Sequence, residues 1–223
     1  MGSITLAPGA APGSPAEGEI YYDSTEDKLK VRNASAFESI PSGAGTILQT
    51  QYSQVVTAME MTSISSNTTY VLKNGTADSD LSITGWLQCS ITPKSGSIIR
   101  LDTQWTGEVN PDIVQDCVLL FVRDSTSLHN VDSRNGSTTN GCRGIMTLSR
   151  SNQSGDAGST PEQVYMTYFD TAHGGDGSTA KVYKVAFRSA AGSIDKMTSN
   201  RMLNNDYGEE TGISFISATE IAG

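Results

Sequence analysis

Base catalysis near neutral pH most often starts from an imidazole, and this chain has two, His129 and His173. His129 stands beside Asn130 and Asp132 in a polar stretch, and His173 opens a turn, His173-Gly174-Gly175-Asp176-Gly177. A hydrolase serine needs a tight elbow such as G-x-S-x-G to present its hydroxyl. No such motif occurs, and neither histidine has a Ser or Cys partner close in sequence. Glycoside cleavage needs two carboxylates facing one bond. The chain has 24 Asp and Glu residues, but most fall in turns or at solvent-facing positions, and Asp206, Glu209 and Glu210 read as a solvated loop before the last strand. Two stretches have the composition of calcium loops. In Asn130-Val131-Asp132-Ser133-Arg134-Asn135-Gly136, Arg134 puts a cation where a ligand belongs. Gly174-Gly175-Asp176-Gly177 is one unit of a Gly/Asp repeat with no second unit. The expectation is no catalytic residue, no metal and no cofactor.

The three cysteines, Cys89, Cys117 and Cys142, lack CxxC or zinc spacing. Cys89 and Cys117 sit in apolar strand patterns and read as buried thiols. Cys142 lies in a glycine-rich stretch. The sequons at Asn33, Asn67, Asn74, Asn135 and Asn152 follow from a composition rich in Asn, Ser and Thr.

The elements that would position any site are strands. Residues 1–18 are broken by Pro8, Pro12 and Pro15, each of which fixes φ and removes a donor, so they read as an extended docking arm. Residues 19–40 alternate as a three-stranded meander, with Leu29 and Val31 on one face and Phe37 in the closing strand. This unit is too small to bury a core of its own. Residues 41–45, Pro41-Ser42-Gly43-Ala44-Gly45, form a linker.

From 46 to 223 strand-like segments alternate with turn clusters. Leu81, Ile83, Leu87, Cys89 and Ile91 read as one half-buried strand. Asn74-Gly75 carries the signal of a two-residue hairpin. Ile99, Leu101, Thr103 and Trp105 point one way along a strand, which places Trp105 in the core. Cys117–Arg123 is almost continuously apolar and should be covered on both faces. No window keeps a helical period. The fold expected is all-β, a jelly-roll-like β-sandwich head preceded by the arm and the meander.

The net charge is −9, and no basic run supplies the cations that phosphate contacts need, so nucleic acid is excluded as a partner. No leader and no membrane-spanning segment is read, so membrane insertion is not expected. Trp86 falls on the polar parity of its segment and reads as an oligomer contact, with a sugar-stacking platform as its other reading.

The run Pro12-Gly13-Ser14-Pro15-Ala16-Glu17-Gly18-Glu19-Ile20-Tyr21-Tyr22-Asp23-Ser24-Thr25-Glu26-Asp27-Lys28-Leu29-Lys30-Val31-Arg32-Asn33, with Phe37 beyond it, resembles a short module of virion proteins from marine and cyanobacterial tailed bacteriophages. Ser90–Ser97, Phe121–Thr126, Val182–Arg188 and Thr219–Gly223 resemble the β-sandwich heads of fibre-like proteins from the same viruses. The chain lacks the long shaft and large anchoring domain of a complete fibre. The resemblance therefore implies a short fibre, spike, head fibre or capsid decoration protein, made in the host cytoplasm, resident in the virion and often trimeric. It implies no enzymatic activity. Capsid or tail proteins and further copies of the chain are the implied partners. Pro8, Pro12, Pro15, Tyr21, Tyr22, Leu29, Val31, Phe37 and Trp86 are the expected docking and oligomer contacts. Two other classes stay open: a polysaccharide depolymerase, which a paired-carboxylate cleft would mark, and a lectin-like binder of host surface glycan.

Overall fold

Proline cannot donate to a β-ladder, so it is confined to the margins of sheets, and Pro8 stands at such a margin. The computed structural model of the chain describes residues 8–9, 16–23, 25, 28–32, 34, 36–39, 44–109, 117–128, 146–147, 161–189, 194–203 and 211–223. These fall in two compact units, Met1–Thr46 with Ala222–Gly223, and Ile47–Ile221.

In the first unit, β1 (Pro8–Gly9) runs parallel to β2 (Ile20–Asp23), with Pro8 opposite Tyr22. A stretch expected to form no strand thus adds one at the sheet edge, where the missing proline N–H matters least. β3 (Lys28–Arg32) and β4 (Phe37–Ser39) complete a meander in the order β1-β2-β3-β4. The turn after β2 is held by Asp23, whose Oδ1 accepts the Thr25 N–H at 2.9 Å and whose Oδ2 lies 3.0 Å from Lys30 Nζ.

The second unit is a β-sandwich-like fold, and among the described residues its regular elements are all strands. They are β5 (Ile47–Val55), β6 (Met59–Ile64), β7 (Thr69–Val71), β8 (Gly75–Thr76), β9 (Gln88–Ile91), β10 (Ile98–Val109), β11 (Cys117–Arg123), β12 (Thr126–Ser127), β13 (Met146–Thr147), β14 (Glu162–Asp170), β15 (Lys181–Ser189), β16 (Ile194–Ser199) and β17 (Ser214–Ile221). One sheet runs β5-β17-β10-β16-β6-β8, with β14 also paired to β10. The other runs β12-β11-β15-β7, with β13 paired to β11 and β9 to β15.

Period-2 alternation turns one face of each sheet inward. Leu101, Trp105, Met166, Met197 and Ile216 from the first sheet meet Leu119, Phe121, Tyr183, Val185 and Phe187 from the second in one core. Trp105 is fully buried, and its indole N–H donates to Ser199 Oγ at 2.8 Å. β11 is covered on both faces, as its composition predicts. Cys117, Leu119 and Phe121 enter the main core, while Val118, Leu120 and Val122 form a second cluster outside it.

A charged clamp joins the sheets. Asp170, at the end of β14, accepts two bonds from Arg123 Nη1 at 2.8 and 2.6 Å and one from the Tyr183 hydroxyl at 2.9 Å. Burial and the Asp170 carboxylate together hold the Tyr183 phenol well above its usual range.

Two further readings are corrected. Residues 81–87 are not strand, and β9 begins at Gln88. Asp78 and Asp80 carboxylates accept the N–H groups of Asp80 and Ser82, so side chains take donors that a ladder would have used. Asn74-Gly75 makes no two-residue hairpin. The chain leaves β7 in the second sheet and enters β8, parallel to β6, in the first, and Gly75 supplies a φ of 90° at the crossing. β16 was not anticipated: Ile194-Asp195-Lys196-Met197-Thr198-Ser199 has too weak an apolar pattern to announce a strand.

Candidate functional site

Histidine chemistry can be judged from His173. The ring is buried; Nδ1 accepts the Gly175 N–H at 2.9 Å and Nε2 lies 2.8 Å from the Ser97 carbonyl oxygen. An N–H donor at Nδ1 leaves the ring proton on Nε2, which donates to Ser97 O. Ser97 Oγ is 3.4 Å from Nε2, but it donates to Lys94 O at 2.8 Å. No lone pair is left to take a serine proton, so His173 clasps two turns together. Asp176 is equally occupied: its oxygens accept the N–H groups of Ser178 and Thr179 and the Thr179 hydroxyl, and these bonds hold its carboxyl far below the usual range. Among the described residues no group of three His, Cys, Asp or Glu side chains could hold a metal. His129, Asn130–Gly136, Cys142, Asp206, Glu209 and Glu210 lie outside the described residues.

The expected docking residues divide by unit. In the first, Pro8, Tyr22 and Leu29 stand in one cross-strand row, and Val31 is opposite Ile20. Tyr21 is half-buried and donates to Asp23 Oδ2 at 3.2 Å. Phe37 pairs through its backbone with Arg32. Pro12 and Pro15 lie outside the described residues. In the second unit Trp86 is half-buried and packs against the main core. Its indole N–H has no partner among the described residues.

Among the described residues a broad apolar exposure lies elsewhere, on the outer face of the sheet built from β5, β17, β10 and β14. Register sets its rows: Tyr165, Gln104, Phe215 and Gln54; then Thr167, Asp102, Ser217 and Tyr52; then Phe169, Arg100, Thr219 and Thr50; then Ile98, Ile221 and Ile47. Tyr52 is 75% exposed, Tyr165 60% and Phe169 52%. The charged side chains in these rows, Arg100 and Asp102, neutralise each other at 2.9 Å, and Thr167 adds a 2.7 Å bond to Asp102. The face is therefore broad, aromatic-rich and without net charge.

β5 closes this sheet on one side, and among the described residues it pairs only with β17. Its sequence, Ile47-Leu48-Gln49-Thr50-Gln51-Tyr52-Ser53-Gln54-Val55, contains no charge, no proline and no glycine. Natural edge strands use charges, prolines and bulges to discourage pairing with other chains; β5 has neither charge nor proline, and its one irregularity is a register shift at Leu48, between the Gln49–Glu220 and Ile47–Ile221 pairs. Behind β5, Glu220 anchors the edge, accepting Gln49 Nε2 at 2.6 Å and the Lys94 N–H at 2.6 Å. Burial alone would raise the Glu220 carboxyl, but these bonds outweigh it and hold the pKa below its ordinary value.

The sequence marks strands over residues 46–63 and 163–170, which the structure has as β5 with β6 and as β14, but it did not mark Tyr52, Tyr165, Phe169 or the β5 edge as contact positions. An uncharged nine-residue strand ending a sheet was the available signal, but its edge position depends on which strands pair. No family model and no curated protein matches the chain.

Proposed function

We propose that the chain is a non-enzymatic structural protein of a bacteriophage virion surface, a short fibre, spike or capsid decoration protein that works as a homo-oligomer, with a trimer as the expected state. The N-terminal unit, with its Pro8, Tyr22 and Leu29 row, is the part assigned to docking on capsid or tail. The sandwich is the part assigned to self-association and outward display.

One observation carries the reading: an aromatic-bearing sheet face without net charge that ends in an edge strand free of charges and prolines. Copies of a chain with a net charge of −9 repel one another over most of their surface. They approach at least cost where each presents no net charge, and the β5 face is such a place. In a ring of three copies β5 would meet a different strand edge of the next copy, since β5 against β5 closes a dimer, and this contact would bury Tyr52 and Ile47 and satisfy the outer backbone groups of β5. Repetition of the oligomer over a particle would then turn weak contacts into avidity.

The test is the mass of the purified chain by sedimentation, beside a Thr50→Lys/Tyr52→Lys variant. The expected result is an oligomer for the parent and a folded monomer for the variant. A parent that stays monomeric across the micromolar range overturns the assembly reading. Detection of the chain by mass spectrometry in purified particles, with heads and tails separated, tests the virion assignment and decides between decoration and fibre. Its absence from particles overturns that assignment.

A further inference from the structure

The loop before β9 folds over the outer face of the six-stranded sheet, where Leu81 and Ile83 pack on the cluster of Val71, Leu120, Val122 and Ala186. Beside this contact, the loop and the β11–β12 turn leave a cleft of about 300 Å³. That is the lower end of the roughly 300–1,000 Å³ range of small-ligand sites. At its floor is Lys184, on β15 between Gln88 and Val122 of the neighbouring strands.

Lys184 is only 3% exposed. Its Nζ donates to Leu81 O at 2.8 Å and to Asp124 O at 2.7 Å. An ammonium has three N–H bonds, so one is left without an acceptor among the described residues. Across the cleft, Asp124 sits at a φ of 53°, a left-handed conformation uncommon for a residue other than glycine. It is held there by reciprocal bonds with Val182: Asp124 N–H donates to Val182 O at 2.8 Å, and Val182 N–H to Asp124 Oδ1 at 3.0 Å.

The lining defines the ligand. The Lys184 ammonium is attracted by two carboxylates, Asp124 and the exposed Asp80, so an anion entering the cleft meets carboxylates and a cation meets the ammonium. Ser82, Thr84 and Ser125 supply hydroxyls that donate or accept, and Gln88 has an amide NH₂ to donate, since its Oε1 already accepts the Gly85 N–H at 2.8 Å. Ile83 and Val182 supply an apolar wall. A ligand that matches this set is small and neutral, with adjacent hydroxyls on its rim and C–H bonds on its face. We propose that the cleft between the 81–85 loop and the 124–125 turn binds a single neutral pyranose unit of a saccharide. The site lies on the sheet that does not carry the β5 face, so it stands or falls independently of self-association.

The test is titration of the isotope-labelled full chain with neutral methyl hexosides and N-acetylglucosamine, followed by amide chemical shifts. Glucuronate and glucosamine serve as charged controls. At least one neutral sugar is expected to shift Thr84, Asp124, Ser125 and Val182 with a Kd of about a millimolar, typical of a single weak contact set. The charged controls are expected to bind at least tenfold more weakly. Thr84→Trp, and independently Ser125→Trp, should fill the cleft and abolish the shifts while the rest of the spectrum is kept. The inference is overturned if no cleft amide responds to any neutral sugar, if the charged sugars bind equally well, or if a folded cleft-filling variant binds like the parent.

Discussion

Asp170→Ala should be among the most damaging single substitutions in the sandwich. The carboxylate is 3% exposed and is shared by Arg123, the Tyr183 hydroxyl and the Ala172 N–H. Burial works against the Arg123 charge, and the Asp170 carboxylate more than offsets this, so the guanidinium pKa is raised. Removing the carboxylate leaves that cation in a largely buried place and the phenol without an acceptor. Breaking one side of a buried ion pair costs about 3–5 kcal/mol. In a domain of this size each kcal/mol moves Tm by roughly 2–4 °C, so a drop of about 10 °C is expected. Thermal melts followed by circular dichroism measure the shift in Tm, and urea unfolding followed by tryptophan fluorescence measures the free-energy loss. Asp170→Asn keeps an acceptor for Tyr183 and should lose about half as much. An Arg123→Met/Asp170→Leu pair, which removes both charges, should recover most of the loss. An Asp170→Ala protein within about 1 kcal/mol of the parent would refute the clamp.

Gly107→Ala should fail to fold or lose about 3 kcal/mol or more in urea unfolding, because a Cβ there would lie 2.1 Å from Thr198 O and 2.5 Å from the Trp105 ring. Glu220 links stability to acid. Its folded pKa is lowered, so its contribution is complete above the ordinary value of 4.5 and is lost as pH falls through the folded value. Thermal melts from pH 7 down to about pH 3 should show a shallower acid slope for Glu220→Gln than for the parent. Cys89 is buried and its thiol is pushed up to about 12 by desolvation. Peptide mapping after iodoacetamide at about pH 8 should therefore find it unlabelled in the native protein and labelled in urea.

What was legible in the sequence came from alternation and composition. The strict pattern of Ile99, Leu101, Thr103 and Trp105 announced β10 and its buried tryptophan, and the unbroken apolar run Cys117–Arg123 announced a strand with two covered faces. The same rule misled at 81–87, where alternating apolar residues belong to a loop. Leu81 and Ile83 face the second cluster there because aspartate side chains hold the turns, and alternation alone does not separate the two cases. Tertiary facts were out of reach. Lys184 looks like an ordinary outward strand residue, and only the loop that crosses it, about a hundred positions earlier in the chain, makes it buried. The β5 face needed the pairing order, because a strand's exposure depends on its neighbours. Asp170 and Arg123 are 47 positions apart, and nothing in either segment points to the other.

Amide hydrogen exchange along β5, measured at several protein concentrations, reports whether this strand edge is the contact between copies. In an antiparallel pair successive residues alternate in the direction of their N–H groups, so in a monomer every second amide of β5 faces away from β17. If copies meet at this edge, these amides exchange quickly in dilute protein and become protected as concentration rises and the oligomer forms, while those bonded to β17 change little. Exchange along Ile47–Val55 that is the same at every concentration, in a protein whose oligomer is seen by sedimentation, would place the contact elsewhere and contradict the account.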